Sequence, residues 1–216
     1  MHVITVLAQK GGAGKTTISV NLAVALALQH PHLKVAVADA DPQESSFIWL
    51  KRGKGASGVS VTKVAVGDSE GKSLKTDLAA LDADIVVIDL PPSLEAISLR
   101  GAIHGNLILV PTNPSIVDLS ATRKAVAVAK EAIKEMPGKQ FLLIPNRVQN
   151  NTSSGRQLRD VLKTLGPVSS VTLCQRIAYS EAAIYGIGVS QHAPESPAAQ
   201  EIGLLAEEVT YLLSIT

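Results

Sequence analysis

The chain has 216 residues, 46% of them hydrophobic and only 3% aromatic, with 20 Lys and Arg against 19 Asp and Glu. This composition supplies an aliphatic core and excludes intrinsic disorder, argues against a row of aromatic base-stacking platforms, and leaves a net charge of +1 that by itself indicates no polyanionic partner. A single cysteine, Cys174, excludes a disulfide framework and a four-cysteine metal or iron–sulfur site within one chain, and with no leader-like start and no apolar run of ~18 residues the expected location is cytoplasmic.

Short aliphatic runs alternate with longer amphipathic stretches, the pattern of βαβ units around a parallel sheet. The first strand is expected over 3–7 and leads through a Gly-rich turn into a helix over 15–29, where Ile18, Leu22 and Leu26 recur at helical spacing. A strand over 35–38 follows, then a loose basic stretch over 51–58, then a strand over 59–66 placed toward an edge because it carries Lys63. Strands are expected over 85–89, 107–110 and 141–145, and the runs 85–89, 107–110 and 141–144 are apolar on both faces, as central parallel strands should be. Helices are expected over 118–136, stopped by Pro137-Gly138, and over 152–165, stopped by Gly166-Pro167. A seventh strand over 168–173 and a final helix over 197–213 complete the reading. The fold expected is α/β, a mainly parallel twisted sheet of about seven strands with helices on both faces, in a single domain covering 1–216.

The most informative segment is Gln9-Lys10-Gly11-Gly12-Ala13-Gly14-Lys15-Thr16-Thr17, set between strand and helix. Phosphate binding needs backbone N–H groups packed close together, so small residues at 11–14 leave room for the anion, and the following helix adds the positive end of its dipole. Lys15 is suited to the β- and γ-phosphates and the Thr16 hydroxyl to Mg²⁺. Two further segments end strands with carboxylates. Asp39-Ala40-Asp41-Pro42-Gln43 places two acids at a strand tip, where α/β sheets bind ligands, and Ile85-Val86-Val87-Ile88-Asp89 places one at the end of a buried strand, suited to Mg²⁺.

Gln9 stands where the ordinary GxxxxGK(S/T) loop has glycine, and Lys10 precedes the glycine pair. This KGGxGK(S/T) form resembles the deviant Walker A motif of the ParA/MinD superfamily of P-loop NTPases, and Asp39–Gln43 is similar to the DxDPQ segment of ParA-type proteins. The similarity runs from Val3 to about Glu181. It implies an ATP-dependent homodimer in which Lys10 crosses to the phosphates held by the other subunit, with ATP and Mg²⁺ as cofactors. It also implies that Asp41 orients the attacking water, that Thr16, Asp39 and Asp89 serve Mg²⁺, and that Asn146 and Arg147, after the 141–145 strand, lie at the adenine. Leu90 follows Asp89, so the glutamate common to many P-loop ATPases is missing, and a weak, stimulated ATPase is expected.

Charge then separates the branches of that superfamily. The residues after Arg176 hold five glutamates, Glu181, Glu195, Glu201, Glu207 and Glu208, and no Lys or Arg, which disfavours a MinD-like basic membrane helix. Cys174 alone cannot supply the two cysteines per subunit of a nitrogenase-reductase-like cluster. Arg156, Arg159 and Lys163 fall at i, i+3 and i+7, which with Arg176 suggests nonspecific DNA binding. The ParA resemblance therefore implies a small, nucleoid-associated partition ATPase without an N-terminal helix-turn-helix domain. In this reading an adaptor of the ParB kind stimulates hydrolysis and so moves a plasmid, chromosome or other cargo. The alternatives are a MinD-like membrane-associated protein and a metabolic ligase of the dethiobiotin-synthetase type.

Overall fold

The computed structural model describes residues 1–64, 72–92 and 95–216. Among these, six strands form one parallel sheet: β1 (His2–Val6), β2 (Val35–Asp39), β3 (Ser60–Lys63), β4 (Ile85–Asp89), β5 (Leu107–Thr112) and β6 (Gln140–Pro145). Their order across the sheet is β3-β2-β4-β1-β5-β6. The chain leaves β1 through α1 (Lys15–Gln29), passes over β4 to reach β2, and after β4 turns back over β1 to β5. Connections therefore diverge on either side of β1, which opens a crevice at the carboxyl ends of the central strands.

Register fixes what stands at that edge. Val6 of β1 pairs with Asp89 of β4, and Asp39 of β2 pairs with the same Asp89. Two carboxylates fifty residues apart in sequence are thus set side by side at the level where the chain leaves β1.

One face of the sheet packs Ile4, Val6, Val37 and Val87 against Leu22 and Leu26 of α1. The stretch from Ile18 to Leu26 is buried on all sides, because α1 lies against the sheet and is covered in turn by α9 (Pro197–Leu213), through Ile202, Leu205 and Val209. The other face packs Val3, Val86, Ile88 and Ile108 against α5 (Ile116–Glu135), with Leu158 and Leu162 of α6 (Ser153–Lys163). Three of these helices, α5, α6 and α9, start at a side-chain cap. The Ser115 hydroxyl accepts from Asp118 N, the Thr152 hydroxyl from Gly155 N, and the Ser196 hydroxyl from Ala199 N. Shorter helices complete the described chain: α2 (Ser45–Arg52), α3 (Lys72–Ala79), α4 (Glu95–His104), α7 (Ala178–Tyr185) and α8 (Val189–His192).

The expected edge strand is β3 beside β2, with Lys63 at its end; Ala65 and Val66 of that expectation lie outside the described residues. The expected seventh strand over 168–173 is not formed. That segment runs beside β6 but bridges it only at Leu143–Val168 and, just beyond, at Val148–Cys174. Side chains occupy the backbone groups a ladder would need. Glu208 accepts from Ser170 N at 2.8 Å, the Ser169 hydroxyl accepts from Val171 N at 3.0 Å, and Arg159 donates to the Ser169 and Ser170 carbonyls at 2.6 and 3.0 Å. Six strands rather than seven therefore make the sheet.

Candidate phosphate site

The loop from Gly11 to Gly14 joins β1 to α1. Gly12 and Gly14 hold φ of +76° and +91°, conformations that L side chains rarely adopt. At Gly14 space is also limiting, since a Cβ there would stand 2.3 Å from Asn146 Nδ2. The neighbouring cleft, about 230 Å³, is lined by Gly11, Gly12, Gly14, Lys15, Thr16, Thr17, Asp41, Gln43, Ser45, Pro92 and Arg147. Ala13 is buried behind the loop, and its carbonyl accepts from Asn146 Nδ2 at 2.8 Å.

Lys15 is only 6% exposed, and burial lowers its pKa while the nearby Asp89 and Asp41 carboxylates pull it back up. Asp89 is fully buried and accepts from the Thr16 hydroxyl at 2.8 Å and the Ser19 hydroxyl at 3.2 Å. Burial pushes its carboxyl up to about 7, with Thr16 opposing the shift and the adjacent Asp39 adding to it. A buried carboxylate that is costly to ionise alone, joined to a hydroxyl at the rim of an anion cleft, is the oxygen donor set a small divalent cation requires. Among the described residues no group of three or more His, Cys, Asp and Glu is arranged as a metal cage. The arrangement instead fits Mg²⁺, which typically takes one or two protein ligands and completes its shell with phosphate and water.

The two aspartates of the β2 tip differ. Asp39 is buried and accepts from Asp41 N at 3.0 Å and from Phe47 N at 2.8 Å, so it fixes the turn and the first turn of α2. Asp41 is half-buried, accepts from Gln43 N at 2.9 Å and faces the cleft. Of the two, only Asp41 lines the cleft.

Lys10 is absent from the lining of its own cleft. Its ammonium pairs with Asp118 of α5 at 3.0 Å while its side chain stays 40% exposed. Asp118 is itself buried and also accepts from Asn113 Nδ2 at 3.2 Å and from the Ser115 hydroxyl. Asn113 reaches the Gly12 carbonyl at 3.4 Å and Asn146 at 3.4 Å, so one polar network supports the loop from behind. The sequence reading missed Asp118 in this role; its partner lies 108 residues away and no local motif marks the pair.

Asn146 therefore directs its amide nitrogen at the phosphate loop. Arg147, held at φ +51°, is exposed and lies between the cleft and a second cavity of about 480 Å³. That cavity is walled by Thr17 of the loop motif and by Trp49, Leu173, Cys174 and Tyr179 among others, and for these four the sequence carried no ligand-binding signal.

The basic residues expected on one open stripe of α6 are not equivalent. The Arg159 guanidinium donates to the Ser169 and Ser170 carbonyls and, at 2.9 Å, to the Thr172 hydroxyl. Lys163 pairs with Asp160 at 3.0 Å, and Arg176 with Glu201 at 2.8 Å beside the larger cavity. Arg156 is exposed, and among the described residues no ion pair or side-chain hydrogen bond is found for its guanidinium. Spacing placed Arg156, Arg159 and Lys163 on one helix, but what each contacts depends on its rotamer and neighbours.

A model of the CobQ/CobB/MinD/ParA nucleotide-binding domain matches residues 4–189. The maintenance of carboxysome distribution protein A of Halothiobacillus neapolitanus is 32% identical over 203 residues, 93% of this chain and 92% of that protein. The chromosome-partitioning ATPase Soj of Thermus thermophilus is 27% identical over 95% of this chain and 94% of its own length. Among solved structures, the septum site-determining protein MinD of Pyrococcus horikoshii, complexed with Mg-ADP, superposes with a TM-score of 0.76 at 23% identity, covering 99% of this chain and 98% of that one; this last likeness is one of fold.

Proposed function

The chain belongs to the CobQ/CobB/MinD/ParA nucleotide-binding family, and from that premise we propose that it is an ATP-switched positioning ATPase whose ATP-bound homodimer holds nonspecific DNA and releases it after hydrolysis. The observation that carries this reading is the division of labour between two lysines of one loop. Lys15 is buried in the cleft beside Asp89 and Asp41, while Lys10 stands outside that cleft, half-exposed and held by Asp118. A cation that does not serve its own subunit's phosphate site is suited to serve the site of a second copy.

In this reading Gly11, Gly12, Ala13, Gly14, Lys15, Thr16 and Thr17 bind the phosphates. Backbone N–H groups and the α1 dipole bind the ground state, and Lys15 stabilises charge that grows on the transferring group. Asp41, facing the cleft, accepts a hydrogen bond from the attacking water and aims it. Thr16 and Asp89 hold Mg²⁺, with Asp39 behind them fixing the turn that carries Asp41. When bound, the ion neutralises charge on the phosphate oxygens. Arg147 and Asn146 border the base, for which the adjacent 480 Å³ cavity has room. Lys10 of one protomer completes the phosphate site of the other, so that pairing depends on the triphosphate.

The names of the relatives, one for carboxysome distribution and one for chromosome partitioning, support cargo positioning as the output. An adaptor of the ParB kind then sets the hydrolysis rate, and Arg156, Arg159, Lys163 and Arg176 are the DNA contacts first expected from the sequence. The last helix carries Glu201, Glu207 and Glu208 and no Lys or Arg, which opposes docking on anionic lipid. Asp41→Ala is the direct test. With ATP the variant should co-sediment with DNA and leave it at least tenfold more slowly than the wild type under turnover. Equal retention of the wild type with ATP and with ADP contradicts the switch.

A further inference from the structure

The residues first expected to meet DNA are mostly engaged within the fold, whereas a second group of cations, at the end of α2, is not. Lys51 and Arg52 close the last turn of α2, and Lys54 follows at φ +49° in the turn beyond it. All three are exposed, and none forms an ion pair with a carboxylate among the described residues. Lys51 instead lies 5.4 Å from the Phe47 ring centre. The nearby Lys63, also over Phe47, is paired with Glu44 at 2.6 Å.

This patch sits on a fixed base. Gly53 and Gly186 pack backbone to backbone, so closely that a Cβ on Gly53 would stand 2.2 Å from the Gly186 carbonyl oxygen. Gln191 Nε2 donates to the Ala56 carbonyl at 2.9 Å, and Ser57 is buried. Three adjacent cations on an anchored turn require no ordering of backbone when an anion approaches. The same helix begins in the nucleotide cleft: Ser45 lines it, and the Asp39 carboxylate holds Phe47 N. Eight residues of helix, about 12 Å, therefore join the nucleotide to the patch.

We propose that Lys51, Arg52 and Lys54 are the principal contacts to the phosphate backbone of duplex DNA. The inference rests on the DNA reading above and relocates its surface from α6 to the end of α2. Charge decides the class of partner. The patch offers three exposed cations, and its exposed apolar neighbours, Ile48 at 55% and Ile184 and Tyr185 just before Gly186, sit on two short helices of eight residues rather than on one amphipathic helix able to lie in a lipid surface. Exposed cations without an ion pair among the described residues, with the Phe47 ring lying under Lys51 and Lys63, suit a sequence-independent polyanion. With three phosphates per protomer in a dimer, the slope of log affinity against log salt should be about −5.

The test uses the full chain with a non-hydrolysable ATP analogue and fluorescent duplex DNA across a salt series. The variant is Lys51→Gln, Arg52→Gln and Lys54→Asn together, with asparagine chosen because it tolerates positive φ. Its melting temperature and far-ultraviolet circular dichroism should match the wild type, establishing that it folds. Affinity at moderate salt should fall at least tenfold and the salt slope should flatten by several units, while Arg156→Gln with Lys163→Gln should change affinity less. Wild-type affinity and slope in the triple variant would overturn the inference while leaving the DNA reading intact. Failure of the wild type itself to hold DNA at low salt would overturn both. Nucleotide-dependent capture on vesicles containing anionic lipid, lost in the triple variant and without DNA binding, would reassign the patch to membrane and overturn it as well.

Discussion

The molecule carries basic side chains in two settings that behave differently. At the carboxyl edge of the sheet, Lys15 follows a glycine loop whose backbone, strand register and helix start leave its ammonium one place to go, among Asp89, Asp41 and the phosphate cleft. On α6, Arg156, Arg159 and Lys163 share a helix, yet among the described residues one has no ion pair, one clamps three oxygens of the neighbouring segment and one pairs with Asp160. A motif whose spacing constrains the backbone predicts the position of a charge. A periodicity that constrains only the helix face does not.

The comparison is tested most strongly at the loop. Lys15→Ala should weaken ATP binding at least a hundredfold in calorimetry while leaving the fold intact, because the glycines and not the lysine shape the turn. Unchanged affinity would remove the distinction between the two settings.

Asp89 gives the next largest effect, through pH. Its carboxyl ionises near 7 in the folded chain and near 3.8 when unfolded, so between those values the native state holds a proton the unfolded state has lost. Its contribution to stability is fully present below about 4 and disappears as pH rises through about 7. Without nucleotide or Mg²⁺, Asp89→Asn should therefore melt higher than the wild type at pH 8, by on the order of a few kcal/mol, and nearly alike at pH 4.5. Parallel melting curves at both pH values would contradict the burial argument.

On α6 the effects are smaller and should divide by residue. Arg159→Ala should lower stability by roughly 2 kcal/mol, about 4–8 °C in melting temperature, since three oxygens lose a charged donor. Lys163→Ala should stay within about 0.5 kcal/mol, because its pair with Asp160 is exposed. If both changes are silent in thermal melts, α6 is the open basic stripe its spacing suggests.

Much of the fold was legible because aliphatic runs with no polar face suit central parallel strands, as β4 and β5 are, and because Pro-Gly and Gly-Pro pairs end α5 and α6 where they occur; the equally apolar run of β6 was expected to be central but stands at an end of the sheet, where the segment beginning at Val168 lies beside it. The segment over 168–173 misled for a physical reason: its aliphatic pattern suits a strand, but Ser169, Glu208 and Arg159 satisfy its backbone from the side. At the site, the glycine loop and Asp89 were readable from local spacing. Spacing alone does not separate Asp39 from Asp41; the resemblance gave them different roles, and that Asp39 holds Asp41 N and Phe47 N was not readable in either way. The Lys10–Asp118 pair was also hidden, because it joins a loop to a helix across half the chain's length by packing alone.

The central claim is that two copies close on two triphosphates and that Lys10 completes the neighbour's site. Sedimentation velocity with a non-hydrolysable ATP analogue and Mg²⁺ measures it directly. The wild type should shift from monomer to dimer with the analogue and not with ADP, and Lys10→Ala should remain monomeric while still binding nucleotide. A wild type that stays monomeric at high concentration, or a Lys10→Ala variant that pairs as readily, would contradict the account.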